Sequence, residues 1–287
     1  MSAAVEDRGA PGAELHATRL DENRATVNVL KVDPDLGSSL PAERYNSALA
    51  ALIAAPVGLD MGEWDVSPLF EADPAHLGLL VGQGFLAREV LLYDTVSTEL
   101  LGPGDLIRPW ADADAAVPPV QVRWNVLSPS QVLVLDRRFA ARLQDFPEVS
   151  AALFARLFQR AQRLSASQAI SQLTNVERRL IALLWHVADR WGVVTAEGVV
   201  VPLSFSHRLL GEMVGARRPT VSTAIARLVA REELIRRGDG TWLLPTYAPP
   251  AAASTPQRVV PARRRLFKVD FVPEPAGASS SDLPIAT

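Results

Sequence analysis

The 287-residue chain contains no cysteine. That absence removes disulfides, cysteine-ligated iron–sulfur clusters and thiol redox sensing in one step. Lysine is nearly missing too: of 29 basic residues only Lys31 and Lys268 are lysine, a bias that fits GC-rich coding. The four histidines, His16, His76, His186 and His207, are scattered, with no i, i+4 pair for zinc and no adjacent nucleophile. Enzyme chemistry therefore finds little support, and no cofactor or metal is expected. Haem ligation by His76 is chemically conceivable, but a single loop histidine is ordinarily polar surface. Gly78, Gly82 and Gly84 fall in a hairpin context, not between a strand and a helix, so they read as turn residues and not as a phosphate loop. No apolar run approaches the ~20 residues of a membrane span, and no basic segment with an apolar core opens the chain. The expectation is a cytoplasmic protein with no membrane partner.

What is present suggests two domains with appendages. The hydrophobic share, 48%, is enough for real cores, and the net charge of −3 favours one localised basic surface over a chain that coats nucleic acid everywhere. Residues 1–39 read as a mostly flexible leader, with the short run Ala25 to Val32 as its only periodic stretch. Residues 40–146 read as a small all-β roll. A helix is expected over Ala42 to Ala55, then strands at Leu77 to Val81, Ala87 to Tyr93, Val96 to Leu101, Val120 to Val126 and Gln131 to Leu135, with a helix beginning at Arg137 to Leu143. Residues 147–174 carry an apolar stripe at helical spacing: Val149, Leu153, Phe154, Leu157, Phe158, Ala161, Leu164, Ile170 and Leu173. At about 25 residues this helix is roughly 38 Å long, more than a small domain needs to cover itself, so its stripe either packs on the roll or forms a self-associating seam. Residues 248–287 read as a disordered tail; its Arg258, Arg263, Arg264, Arg265 and Lys268 are a solvated linker or an auxiliary contact.

Residues 175–247 carry the strongest signal. Asn175 or Thr174 caps a helix over Val176 to Trp191, whose Leu180, Ile181, Leu183, Leu184 and Val187 supply a core face. A strand-like run, Val199 to Leu203, precedes a second helix over His207 to Val214 with Ser204 or Ser206 as its cap. Gly215 supplies the turn, and Pro219 starts a third helix. On that helix Val221, Ile225, Leu228 and Val229 share one face, and the short side chains opposite can enter a major groove. After Leu234 and Ile235 the run RRGDGTWLLP reads as a hairpin turning at Asp239-Gly240. Together these make a winged helix-turn-helix. Between His207 and Arg237 stand seven arginines (208, 217, 218, 227, 231, 236, 237) against three glutamates (212, 232, 233). The candidate DNA-binding residues are Arg217, Arg218, Thr220, Ser222, Thr223, Arg227, Arg236 and Arg237, with the charges placed where phosphates lie.

A roll, a long helix and a C-terminal winged helix, in that order, resemble the Crp/Fnr family of bacterial transcription regulators. The resemblance spans about Leu40 to Leu244 and is carried best by LLGPGDLIRPW at 100–110 and VGARRPTVSTAIARL at 214–228. It implies an α+β fold: an N-terminal β-roll (double-stranded β-helix) like a cyclic-nucleotide-binding domain, a long dimerisation helix and the winged helix-turn-helix. By the same resemblance Arg218 takes the base-reading position and Thr220 a phosphate-contacting one. Pro219 stands where the family usually has glutamate, and Thr223 where it has a second arginine, so no target sequence carries over. In the sensor half, the Gly-Glu and downstream arginine that hold a cyclic nucleotide are replaced by Arg108-Pro109-Trp110 and ADADAAVPP. The candidate effector-pocket residues are Arg108, Trp110, Arg123 and Trp124, and the effector is expected to be something other than cyclic AMP, or absent.

The resulting expectation is a homodimeric, sequence-specific regulator whose partners are double-stranded DNA, a second copy of itself, RNA polymerase if it activates, and an unidentified small-molecule effector. Two other readings stand beside it. One is a cupin-like small-molecule-binding roll whose helices serve only dimerisation, which clustered histidine and carboxylate ligands in the roll would favour. The other keeps DNA binding but makes the roll a protein-contact module.

Overall fold

The computed structural model of the chain describes residues 26–66, 76–109 and 120–245, all within one compact unit that ends at Thr246. Trp110, the ADADAAVPP run, the leader up to residue 25, His16 and the tail expected over 248–287 lie outside the described residues.

The roll begins with β1 (Val27–Asn28), α1 (Val29–Val32), a 3-10 turn at Pro34–Gly37 and α2 (Ala42–Ala51). It continues through β2 (Ile53–Leu59), β3 (Gly62–Glu63), β4 (Gly78–Gln83), β5 (Leu86–Leu92), β6 (Thr95–Leu101), β7 (Leu106–Ile107), β8 (Gln121–Val126) and β9 (Ser130–Leu135). Two antiparallel sheets result, ordered β1-β2-β9-β4-β7 and β3-β8-β5-β6. Strand alternation decides what each face covers. Leu79, Val81, Val132 and Val134 point inward against Leu86, Leu101, Trp124 and Val126 of the second sheet. Their neighbours Leu80, Leu133 and Leu135 point outward and meet Val29, Leu30, Leu36, Ala48, Leu52 and Phe139. The central strands β4 and β9 are thus buried on both sides, which is why they read as near-continuous apolar runs.

Two corrections follow. The expected leader ends earlier than residue 39, because Val29, Leu30 and Leu36 are fully buried on the sheet. Their weak periodicity hides a two-residue strand and one helical turn, each too short to register alone. The helix expected to reach Ala55 stops at Ala51, and Ile53 to Leu59 form β2 instead. Pro56 and Gly58 disguise that strand. Pro56 stands beyond the two residues that β1 pairs, where that side of the strand has no ladder to complete.

After α3 (Arg137–Leu143), capped by Asp136 through the Phe139 amide, α4 runs from Pro147 to Ser171. Its first turns are anchored: Val149 and Leu153 are buried on the roll. Beyond them the stripe emerges, with Phe154 64%, Leu157 43%, Phe158 73% and Leu164 45% exposed.

The C-terminal part comprises α5 (Val176–Trp191), β10 (Val193–Val194), β11 (Gly198–Val201), α6 (His207–Val214), α7 (Arg218–Ala230), β12 (Ile235–Arg236) and β13 (Trp242–Pro245). Its sheet is ordered β10-β11-β13-β12, and Leu180, Leu184, Leu210, Val214, Val221, Ile225, Leu228 and Trp242 fill the space between sheet and helices. Ala87 and Leu100, from the outer face of the second roll sheet, belong to the same cluster. The winged helix therefore shares a core with the roll.

Candidate functional site

The turn between α6 and α7 is built as the sequence requires. Ser206 is extended and accepts from the Leu209 amide, which caps α6. Gly215 closes the helix in the left-handed conformation at φ 64°, where a side chain is disfavoured. α7 starts at Arg218, one residue before the expected Pro219, with Arg217 as its extended N-cap. The restriction that Pro219 places on the residue before it does not prevail here: Arg218 occupies the first helical position, and Pro219 still falls within the first turn, where a missing N–H is harmless.

Val221, Ala224, Ile225 and Leu228 are the buried face of α7. Val229 corrects the sequence reading: it is 41% exposed, and Ala224 takes the inward place. Arg217, Arg218, Pro219, Thr220, Thr223, Ala226 and Arg227 are exposed. The hydroxyls of Ser222 and Thr223 donate back to the carbonyls of Arg218 and Pro219, at 3.0 and 3.1 Å. The wing turns at Asp239-Gly240, where Asp239 accepts from the amide and hydroxyl of Thr241 and Gly240 has φ 84°. Those two bonds hold the Asp239 carboxyl below its ordinary range. At its base Arg236 lies over the Trp242 ring, 5.7 Å from the centroid, while Arg237 stays exposed.

Arg227 is less available than expected. Glu177, at the start of α5, bonds Arg231 at 2.7 Å and Arg227 at 3.3 Å. The Arg231 bond is the main reason that its carboxyl sits below the usual range. A depression of about 480 Å³ opens beside this pair, lined by Asn175, Glu177, Pro219, Thr220, Thr223 and Arg227. Sequence reading also missed His207, whose Nδ1 lies 2.8 Å from Ser222 Oγ. Burial first, then the charges of Arg236 and Arg218, hold its ring below the ordinary histidine range. Neither pairing had a local signal, because each joins residues far apart in sequence.

Among the described effector-pocket residues, Arg123 and Trp124 do not converge. Trp124 is buried inside the roll, edge-on to Trp64 at 5.9 Å. Its neighbour Arg123 points to the opposite face and lies 3.7 Å from Glu89. Alternation along β8 separates them. Arg108 is exposed at the end of β7, and Trp110 lies outside the described residues.

Charged groups instead join the roll to the helices. Asp105, 1% exposed in the glycine-aspartate turn, accepts from the Gly102 amide at 3.0 Å, from Arg163 of α4 and from Arg190 of α5 at 3.1 Å. Arg190 and Trp191 also donate to the Pro103 carbonyl. On the outer face of the second roll sheet, buried Glu89 lies 3.5 Å from Arg208, and Thr98 donates to Glu212 at 3.0 Å, so α6 is docked there by both ends of one i, i+4 pair.

Residues 178–245 match the family model of the Crp-like helix-turn-helix domain. No curated protein matches the chain. Solved structures do resemble it in fold. A cyclic nucleotide-binding domain containing protein from Listeria monocytogenes EGD-e is 17% identical, over 74% of this chain and 97% of that one, with a TM-score of 0.55. A CooA variant from Carboxydothermus hydrogenoformans is 17% identical over 79% and 93%, with a TM-score of 0.51. The regulator CLP of Xanthomonas campestris, described as c-di-GMP responsive, is 16% identical over 72% and 100%, with a TM-score of 0.51.

Proposed function

We propose that this chain, a DNA-binding transcription regulator of the Crp/Fnr type, acts as a homodimer that sets two α7 helices into successive major grooves. The observation that carries the reading is α7 itself. Its exposed start carries Arg218, with Arg217 as N-cap, beside the short side chains of Pro219, Thr220 and Thr223, on a helix otherwise locked into the core by Val221, Ile225 and Leu228. Arg218 is the base reader, because a guanidinium at the helix start can form two hydrogen bonds to a guanine edge. Thr220, Thr223, Arg236 and Arg237 meet phosphates and fix register. Arg227 contributes to the phosphate side while it remains paired with Glu177.

The second copy joins through α4, whose Phe154, Leu157, Phe158 and Leu164 form an apolar face that the protomer leaves uncovered. The roll, taken as residues 27–146, serves as a sensor or contact module. Its interior is occupied by Trp64, Trp124 and aliphatic side chains, and Arg123 lies on the opposite face of β8, 3.7 Å from Glu89. Both features favour an effector other than cyclic AMP. Selection of bound duplexes from a random library tests the proposal: it predicts sites with two-fold symmetry and half-sites about 10 base pairs apart, centre to centre. Enrichment of asymmetric sites, or of none, would contradict it.

A further inference from the structure

We infer that His207 is a proton-linked contact to the DNA backbone, a step that rests on the DNA-binding reading above. His207 opens α6 where three elements meet: its own helix start, the recognition helix α7 and the wing. From α7 it faces Ser222 and Arg218, and from the wing Arg236. On its own helix the next residue, Arg208, is engaged by Glu89 and Glu212. The charges that act on the ring are thus permanent cations, Arg236 assigned to phosphate and Arg218 to a base edge, which places the ring on the DNA-facing surface of that reading.

The hydrogen-bond network fixes the tautomer. Ser222 has one hydroxyl hydrogen, and the Arg218 carbonyl 3.0 Å away can only accept it. Ser222 Oγ therefore accepts from His207, so the proton of the neutral ring sits on Nδ1. That leaves a lone pair on Nε2, which repels a phosphate oxygen. Protonation turns Nε2 into a charged donor while the Nδ1 bond to Ser222 is kept. A phosphate contact at this ring consequently requires a proton.

The direction of the coupling follows from the surrounding charges. In the free protein, burial, Arg236 and Arg218 keep the folded pKa below the ordinary value of 6.5. Phosphate charge opposes both arginine fields and favours the imidazolium, so the pKa rises in the complex. Binding takes up a proton when the pH lies between the two values, and affinity increases as pH falls through that window.

The test uses the full chain and a labelled random-sequence duplex of about 30 base pairs, because a phosphate contact is independent of sequence. At constant ionic strength, Kd is expected to be about three- to tenfold lower near pH 6 than near pH 7.5. His207→Gln should be flat at the weaker level. His207→Arg, which keeps a cation without titration, should be flat at the tighter level, and His186→Gln should retain the wild-type slope. A flat wild-type profile, or a slope that survives in His207→Gln, overturns the inference. If binding is salt-dependent but pH-independent, the DNA-binding reading stands and the histidine role falls. If no duplex binds at any pH, both fall.

Discussion

Replacing Phe154 and Phe158 together by alanine examines whether the uncovered face of α4 is the dimer seam. The two rings are 64% and 73% exposed in the protomer, so they contribute little to its own core. In a two-fold pair four rings are lost per dimer. At about 1–1.5 kcal/mol each, a modest value for interface aromatics, the dimer should weaken by about 4–6 kcal/mol. That corresponds to roughly a 10³- to 10⁴-fold rise in the dissociation constant. Sedimentation equilibrium across a wide concentration range reads this directly, and the far-ultraviolet circular dichroism spectrum should stay unchanged. Leu153 provides the contrast. One residue away on the same helix, it is 4% exposed and packs on the roll, so Leu153→Ala should cost the protomer about 2–5 kcal/mol in stability through a cavity. A wild-type chain that sediments as a monomer, or a double variant that dimerises as tightly as wild type, would refute the seam.

Asp105→Ala removes a buried carboxylate and leaves Arg163 and Arg190 facing each other without a counter-charge; a loss of about 3–5 kcal/mol is expected in urea unfolding, and less than 0.5 would show that the turn is held otherwise. His186, between α5 and α4, is held below the ordinary histidine value by burial first and then by Arg163. Its folded pKa lies below the unfolded one, so its contribution to stability is complete above about pH 6.5 and lost as pH falls, and His186→Gln should flatten that part of the stability profile. An unchanged pH dependence in the variant would count against it. Cyclic AMP and cyclic GMP should leave the melting temperature where it is, because the inward face of β8 presents Trp124 and no cation; a concentration-dependent rise with either nucleotide contradicts this.

Much of the DNA-binding half was legible in the sequence because its signals are local. Ser206, Gly215 and Asn175 each act within a few residues, and the helices His207–Val214 and Val176–Trp191 have the bounds that caps and periodicity suggest. The roll was read less well. Strands such as Val27–Asn28 and Leu106–Ile107 are two residues long and exist only through pairing with distant partners, so no periodicity announces them. Pro56 and Gly58 conceal β2 for the same reason: their tolerance depends on which side of the strand is paired. At the candidate site, the exposed residues at the start of α7 were recognisable from pattern alone. The roles of His207, Glu177 and Asp105 were not, since each depends on contacts between elements that only folding brings together.

The central claim is that α7 reads base sequence while the wing anchors on phosphate. Binding titrations of Arg218→Ala, Arg236→Ala and Arg237→Ala, on the selected operator and on a scrambled duplex at several salt concentrations, test it most directly. Arg218→Ala should lose about 1–3 kcal/mol on the operator, with little change on the scrambled duplex. The wing variants should weaken both duplexes about equally and flatten the salt dependence. Equal losses on both duplexes for Arg218→Ala would contradict the assignment of α7 as the reading helix through that residue.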